Sequence, residues 1–181
     1  MSRGEHWCYP PQMADARIEH TFNCSADTFW DKVFFDDDYN RRLFKEELRF
    51  PVWRELKRED RGNELYRVVE VVPHVGDLPG PLKAVVGEGI GYEEHGTLDK
   101  AKQRYRVEVK PNKLADKVSV RLEMFTEPIS DKQCKRVVAV SVTAKIFGVG
   151  GMIEKRMLSD LEKSYAKSAR FTNAFVAEKG L

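Results

Sequence analysis

Cysteine is scarce in this chain, and its spacing argues against the common cysteine-based scaffolds. The three cysteines, Cys8, Cys24 and Cys134, are odd in number and widely separated, and no Cys-x-x-Cys pair occurs. A disulfide framework or a zinc knuckle needs paired cysteines at short spacing. The sequence therefore predicts reduced thiols, as in cytosolic proteins, and no metal site built on cysteine.

Long apolar runs and a strong excess of one charge are also missing. No apolar stretch approaches the ~20 residues that a membrane-spanning helix needs, and MSRGEHWCYPPQM at the start lacks the apolar region of a secretory signal. The formal net charge is only +2, without the basic excess typical of nucleic-acid-binding proteins. These features predict a cytoplasmic protein with no nucleic-acid partner, in which residues 1–14 form a flexible tail and residues 15–181 one folded domain.

What the sequence does contain is a repeated alternation of apolar and polar residues, which is the pattern of strands with one covered face. The alternation starts in the segment 16–24, where Ile18, His20 and Phe22 share one side. Further along the chain it predicts about six more strands, and the clearest of them is QRYRVEVKPN at 103–112.

Helical patterns stand at the two ends of this series of strands. Ser25 predicts the N-cap of a helical region that runs to Leu48, and the acidic run at 36–38 divides that region into two short helices. From about Gly151 to Glu178, apolar residues recur every three or four positions, which is typical of one long amphipathic helix.

Several glycines precede this long helix in FGVGGMIEKRM, residues 147–157. A dinucleotide-binding loop needs Gly-x-Gly-x-x-Gly after an early strand, and a P-loop needs Gly-Lys-Ser/Thr. Here Met152 follows the glycines, and the preceding strand is the last one predicted. The glycines therefore predict a sharp hinge rather than a phosphate site, with Glu154 in the first turn of the helix, where the helix dipole favours a carboxylate.

This order of elements resembles the START-like superfamily. SADTFW at 25–30 is similar to the strand-to-helix turn of that superfamily, and AKIFGVGGMIEKRM at 144–157 is similar to its joint between the last strand and the long helix. The resemblance covers residues ~16 to ~178, nearest to an uncharacterised bacterial branch and more distantly to sterol-binding VASt domains. It implies an α+β helix-grip fold, in which a curved antiparallel sheet of about seven strands wraps around the C-terminal helix and leaves a cavity between them.

The resemblance further implies non-catalytic binding or transport of a hydrophobic small molecule, a lipid or a sterol, without a cofactor or a metal. The residues predicted to line the cavity are Tyr66, Glu70, Tyr105, Val107, Leu122, Met124, Val140, Val142, Met157, Leu161 and Tyr165. Glu70 interrupts an otherwise apolar strand face and would be a polar anchor for the ligand. If the strand has the opposite register, Arg67 faces inward instead.

The segment 73–89 is longer than most connections and is rich in proline, glycine and apolar residues. Long connections are often lids or binding loops. We predict a gate for the ligand, formed by Val75, Leu78, Leu82, Lys83 and Val85, which makes transient contact with a membrane surface. A cap that seals one end of the fold is an equally valid interpretation.

Two other classes of function stay open at this point. The first is an enzyme of the START-like cyclase or hydrolase type, with Glu70, Glu94 or His95 as candidate acid or base groups. The second is a protein-binding module similar to chaperone activators. Glu93 and His95 share a strand face and could begin a metal site, but no third ligand follows in the sequence, so surface residues are the favoured interpretation.

Overall fold

The computed structural model describes residues 16–74, 79–87 and 90–181. The predicted tail and two of the predicted gate residues, Val75 and Leu78, lie outside this part of the chain. Apart from one additional helix, α3, the elements follow the predicted order. In chain order they are β1 (Ala16–Phe22), α1 (Ala26–Thr28, continued by π-helical turns over Phe29–Phe34), α2 (Asp37–Arg41, continued in the same way over Arg42–Glu47), β2 (Val52–Asp60), β3 (Glu64–Val72), α3 (Gly80–Val86), β4 (Tyr92–Asp99), β5 (Arg104–Pro111), β6 (Val118–Ser130), β7 (Gln133–Ala144) and α4 (Gly150–Lys179).

The strands form one antiparallel sheet in the order β1-β7-β6-β5-β4-β3-β2. Strands β2 to β6 each lie beside the next strand in the chain, and β1 forms the far edge of the sheet by pairing with β7. Helices α1 and α2 fill the connection between β1 and β2, and α4 follows the last strand. The predicted α+β helix-grip fold with seven strands is confirmed.

The two short helices begin where the sequence places their caps. The hydroxyl of Ser25 accepts a hydrogen bond from the backbone N–H of Thr28 at 3.1 Å. The carboxylate of Asp36 accepts one from the backbone N–H of Tyr39 at 2.7 Å, so the acidic run ends one helix by starting another. Both bonds satisfy backbone N–H groups in the first turn of a helix, which have no carbonyl partner within the helix itself.

The joint between β7 and α4 is a hinge, as the glycine pattern predicts. Gly148 has φ +78, a left-handed conformation that most side chains disfavour. At Gly150 a Cβ atom would lie 2.2 Å from the carbonyl oxygen of Ala144, so only glycine allows the helix to start this close to the strand. Glu154 secures the joint by accepting a hydrogen bond from the backbone N–H of Ala144 at 2.8 Å.

Helix α4 packs mainly on β1, β7 and the π-helical turns of α2. Its C-terminal half supplies the buried residues Ala169, Thr172, Phe175 and Val176. The middle of the helix is only half-buried, although its apolar side chains contact the core. The helix is therefore anchored over one edge of the sheet, and its middle lies over strands to which it is less tightly packed.

The predicted gate segment contains a helix. Residues Gly80–Val86 form α3, and Leu82 is 3% exposed and belongs to the hydrophobic core. Lys83 is exposed, and Val85 is half-buried against the core. Leu82 is therefore not exposed for the predicted contact with a membrane surface, and its burial fits the alternative interpretation of a cap at one end of the fold.

Within the described residues, none of the helices has both the length and the apolar character required to cross a membrane.

Candidate ligand-binding recess

The pairing register decides which side of each strand faces α4. Glu94 pairs with Val69 on one side and with Val109 on the other, and Gly96 likewise lies between Arg67 and Val107. Paired residues point to the same face of a sheet. Arg67 and Glu94 therefore share the inner face with the buried valines that pack towards the helix.

Two predicted lining residues lie on the opposite, outer face of the sheet. Tyr66 pairs with Thr97 and forms a hydrogen bond of 2.8 Å with Nδ1 of His95. Glu70 forms an ion pair of 2.8 Å with Arg54 in the neighbouring strand. Their predicted place in the cavity is wrong because β3 has the opposite register, and Arg67, the alternative, faces inward.

The other predicted lining residues do face the space between sheet and helix. On the sheet side these residues are buried, and on α4 three side chains at helical spacing are half-buried against the core. The sheet group is Tyr105, Val107, Leu122, Met124, Val140 and Val142, and the helix group is Met157, Leu161 and Tyr165. Burial alone makes them core residues, and their contact with a ligand stays a prediction.

Arg67 is a deeply buried charge on the inner face. Only 3% of it is exposed, and its guanidinium lies 4.8 Å from the ring centres of both Phe34 and Phe35. Its Nε donates a hydrogen bond of 3.3 Å to the hydroxyl of Tyr105, whereas one terminal nitrogen has no partner within the described residues. A buried cation with an unsatisfied N–H is costly unless another group completes its hydrogen bonds.

The position of Tyr105 depends on a glycine. A Cβ atom at Gly96 would lie 1.8 Å from the hydroxyl oxygen of Tyr105, so the tyrosine ring lies across β4 where a side chain would otherwise stand. From there the hydroxyl reaches Arg67 in the next strand. Burial raises the pKa of Tyr105, so the phenol is neutral and acts as a hydrogen-bond partner rather than as an anion.

Glu94 is the second charge-bearing group of the inner face. Burial raises the pKa of its carboxyl, and the nearby Arg67 partly opposes this effect. Glu94 forms no hydrogen bond or ion pair with another described residue, in contrast to the carboxylates at the surface. It is therefore a carboxyl group in protein surroundings whose hydrogen bonds are left to water or to a ligand.

Two tyrosines complete what we call the inner polar cluster, defined as Arg67, Tyr92, Glu94, Tyr105 and Tyr165. Burial raises the pKa of Tyr92 and of Tyr165, and Glu94 adds to the effect in each. Tyr165 belongs to α4 and Glu94 to β4, so this interaction spans the space between helix and sheet.

Three members of the cluster, Tyr92, Glu94 and Tyr165, keep accessible surface in spite of this burial. Groups that are surrounded by protein and yet accessible line a recess rather than open solvent. These few polar groups lie among the apolar side chains of the sheet and α4, which is the usual composition of a small-molecule site.

A second buried cation anchors the helix beside this recess. Arg136 in β7 is 2% exposed and donates hydrogen bonds to Ser168 Oγ at 3.2 Å and to the backbone oxygen of Tyr165 at 3.1 Å. Its guanidinium also lies 4.8 Å from the centre of the Tyr165 ring. The arginine thereby holds Tyr165 in position.

A groove of about 540 Å³ opens along the first turns of α4. Its lining contains one of the predicted cavity residues, Val142, together with Gly151, Glu154, Lys155, Leu158, Ser159 and Glu162. The remaining predicted residues are not part of this groove, whose lining carries the charged side chains Glu154, Lys155 and Glu162. We therefore regard the recess as the candidate site.

The other candidates for chemistry lie outside the recess. His95 is on the outer face, with its Nε2 2.9 Å from the carboxylate of Glu93. The described residues contain no group of three metal-binding side chains. A hydrogen bond with Cys24, together with burial, raises the pKa of the Cys134 thiol, so this cysteine is not an activated nucleophile.

Sequence reasoning missed Tyr92 as a site residue and weighed Arg67 only as an alternative. The segment YEEHGTLD lacks a clean alternation, so no pattern sets Tyr92 apart. One signal was available for Arg67, because strand period two places it on the face opposite Glu70.

Comparison with known families and structures supports the fold and leaves the ligand open. The family described as "Protein of unknown function (DUF2505)" matches residues 17–176. None of the curated proteins is significantly similar to the chain.

Solved structures share the fold at low sequence identity. The Zhui aromatase/cyclase from Streptomyces sp. R1128 has a TM-score of 0.61 at 14% identity, covering 92% of this chain and 96% of that chain. Norcoclaurine synthase from Thalictrum flavum, in complex with dopamine and hydroxybenzaldehyde, has a TM-score of 0.58 at 17% identity, covering 90% of this chain and 86% of that chain. A START superfamily protein from Mycobacterium smegmatis has a TM-score of 0.55 at 13% identity, covering 90% of this chain and 97% of that chain. These similarities confirm the START-like fold.

Proposed function

The chain belongs to the DUF2505 family of proteins of unknown function, and for this member we propose the non-catalytic binding or transport of a hydrophobic small molecule in the recess between the sheet and α4. The observation that carries the proposal is the inner polar cluster. It combines an unpartnered carboxyl group, an incompletely bonded guanidinium and two accessible tyrosines within apolar walls.

The chemistry of the cluster narrows the class of ligand. Apolar walls supply most of the affinity, at roughly 25 cal/mol per Å² of buried apolar surface before the costs of ordering. A raised pKa favours the protonated form of Glu94, which can donate one hydrogen bond and accept others. We propose a lipid with a single hydroxyl or carbonyl group at one end, as in a sterol, which binds Glu94 and a tyrosine by that group.

The experiment is native mass spectrometry of the purified protein, followed by solvent extraction and lipid analysis. A discrete extra mass that disappears on extraction is the expected result. Leu161→Trp places a larger side chain on the recess side of α4 and should reduce the occupied fraction. The matched control is Lys163→Trp, on the exposed face of the same helix, which should bind like the unmodified protein.

A folded protein that carries no extra mass and takes up nothing from a panel of lipids would contradict the proposal. Equal uptake by Leu161→Trp and Lys163→Trp would remove this part of α4 from the recess wall. Circular dichroism of both variants shows whether each has kept its fold, so a loss of uptake through unfolding is recognised.

A second candidate function is catalysis in the same recess, and Glu94 favours it. A carboxyl group with a raised pKa near tyrosines resembles a general acid or base, and an aromatase/cyclase shares the fold. The two candidates differ in what happens to the bound molecule. Incubation with the extracted ligand or a related precursor should leave its mass and chromatographic behaviour unchanged if the protein only binds it, and a product that Glu94→Gln no longer forms would establish the enzyme.

A further inference from the structure

A fully exposed phenylalanine stands at the tip of the joint between β7 and α4. Phe147 has 104% relative exposure, and Met152, in the first turn of the helix, has 44%. The neighbours Ile146 and Val149 pack against the core, so the chain turns the larger phenylalanine outward. A side chain of this size gains roughly 1.5–3 kcal/mol when it is removed from water, and the fold leaves this gain unused.

Four lysines belong to the segments that meet at this tip. Lys145 precedes Phe147, and Lys155 lies one turn after Met152 on α4. The turn between β5 and β6 adds Lys113 and Lys117, since the backbone N–H of Lys145 donates a hydrogen bond of 2.7 Å to the carbonyl oxygen of Lys117. We call Phe147, Met152 and these four lysines the lysine tip.

The lysine tip differs from the opposite end of the sheet in how its charges are paired. Within the described residues none of its four lysines forms an ion pair, whereas Lys100, Lys102 and Lys179 at the far end each bind an aspartate. Of the nearby acidic groups, Glu154 is engaged with the backbone at the joint. The other acidic groups near the tip in the described part of the chain are Asp116, next to Lys117 in sequence, and Glu162, in the groove that contains Lys155, so the four lysines outnumber the nearby carboxylates.

We propose that the lysine tip docks on an anionic lipid surface. Its lysines attract acidic headgroups, each contributing roughly fivefold to the binding constant, while Phe147 and Met152 enter the boundary between headgroups and acyl chains. A projecting apolar tip fits a fluid lipid surface, which deforms around it. A protein partner would need a matching pocket for the phenylalanine.

Docking by this surface would bring the recess to the lipid. The backbone N–H of Asn112, beside the lysine turn, donates a hydrogen bond of 2.9 Å to the carbonyl oxygen of Gly91, which immediately precedes β4 and Tyr92. The lysine tip and the Tyr92 end of the recess therefore lie at the same end of the sheet. This consequence rests on the proposed function, whereas the docking surface itself does not.

The test is co-sedimentation of the full chain with phosphatidylcholine vesicles, with and without phosphatidylserine. We expect binding to the anionic vesicles only, and weaker binding at high salt because screening shortens the range of the attraction. Phe147→Ala should reduce the binding by at least about tenfold, from the lost apolar contact. Ile129→Ala is its control, since Ile129 is 54% exposed and belongs to the opposite end of the sheet.

The contribution of the lysine charges to vesicle binding is tested with a second pair of variants. Lys145→Gln with Lys155→Gln should weaken binding by about 25-fold, at fivefold for each lysine. The control, Lys132→Gln with Lys163→Gln, removes the same charge elsewhere on the exposed surface and should bind like the unmodified chain. All the substituted residues are exposed, so urea denaturation should give unchanged stability.

Several outcomes would overturn the docking proposal. These are equal binding to neutral and anionic vesicles, no binding to either, equal losses of binding in the control variants, or binding to RNA or an acidic protein in place of vesicles.

Native mass spectrometry of the same variants separates a failure of the docking proposal from a failure of the proposed function. A ligand retained in the recess while vesicle binding is absent would refute docking alone, and vesicle binding by a protein without a ligand would count only against the recess.

Discussion

At the scale of single residues, the recess depends on the missing side chain of Gly96 and on the missing hydrogen-bond partner of Glu94. Gly96 has no side chain, and Tyr105 lies across β4 only for that reason. Glu94 has no partner among the described residues, and burial raises the pKa of its carboxyl group. Both features are costs to the fold, and costs that persist in a native structure are often found where a ligand or a substrate binds.

The pH dependence of stability tests the surroundings of Glu94. Because its folded-state pKa is raised, the folded protein holds this proton more tightly than the unfolded chain does. The corresponding stability is complete below the ordinary glutamate pKa of about 4.3 and is lost as the pH rises through the folded-state value. We expect the free energy of unfolding of the unmodified protein to fall relative to that of Glu94→Gln as the pH rises above the ordinary glutamate pKa of about 4.3.

Urea denaturation at several pH values measures this difference, and Asp60→Asn gives a control of opposite sign. Hydrogen bonds from Lys100 and from the backbone of Gly62 lower the pKa of Asp60. The contribution of Asp60 to the free energy of unfolding is therefore present above the ordinary aspartate pKa and is lost as the pH falls through the lowered folded-state value. Parallel pH profiles for Glu94→Gln and the unmodified protein would show that the Glu94 carboxyl is fully solvated.

At the scale of elements, the joint between β7 and α4 decides how the long helix lies over the sheet. Gly150 brings the helix against the carbonyl of Ala144, and Glu154 binds the N–H of the same residue. The strand therefore ends, and the helix begins, at one small cluster of backbone contacts.

Two adjacent glycines at this joint should respond to the same substitution with opposite signs. Gly150→Ala introduces a Cβ atom 2.2 Å from a backbone oxygen, so the joint must shift, and we expect a loss of about 1–3 kcal/mol in the free energy of unfolding. Gly151→Ala meets nothing within 4 Å and replaces a poor helix former by the best one, for a gain of about 0.5–1 kcal/mol. Thermal and urea denaturation of the two variants measure both changes, and equal effects would show that the helix start is not closely packed.

At the scale of the whole molecule, the two ends of the sheet differ in charge pairing. One end carries ion pairs that join separate elements, such as Arg42 with Glu178 and Lys179 with Asp38. The other carries the unpaired lysine tip, and the inner polar cluster lies in the space between sheet and helix. This separation allows one end to hold the fold together while the other is available to a partner.

A ligand in the recess should stabilise the entire fold, because it binds the native state and not the unfolded chain. At a ligand concentration of 100 times its dissociation constant, the stabilisation is about 2.7 kcal/mol. For a chain of this size each 1 kcal/mol raises Tm by roughly 2–4 °C, so we expect a rise of about 5–11 °C. Differential scanning calorimetry before and after solvent extraction measures it, and an unchanged Tm in a protein shown to carry a lipid would place that lipid outside the folded core.

Much of the architecture could be predicted because its signals are local. Strand alternation, the caps at Ser25 and Asp36, and the glycines of the joint each act within a few residues of their own position. The order of elements then matches one known fold. The helix in the 73–89 segment was not foreseen, since its proline and glycine content indicates a loop and the burial of Leu82 depends on the core it meets.

The sequence by itself thus determined which residues share a strand face, where helices begin and that a hinge precedes α4. Only the tertiary structure decided which face of β3 meets the helix, because Val68 and Val69 are both buried and apolar residues stand on either side of that strand. Period two is the same for both registers, so Arg67 and Glu70 could be distinguished only by strand pairing. The lack of a hydrogen-bond partner for Glu94 among the described residues and the exposure of Phe147 likewise depend on residues distant in the chain, so local sequence patterns cannot predict them.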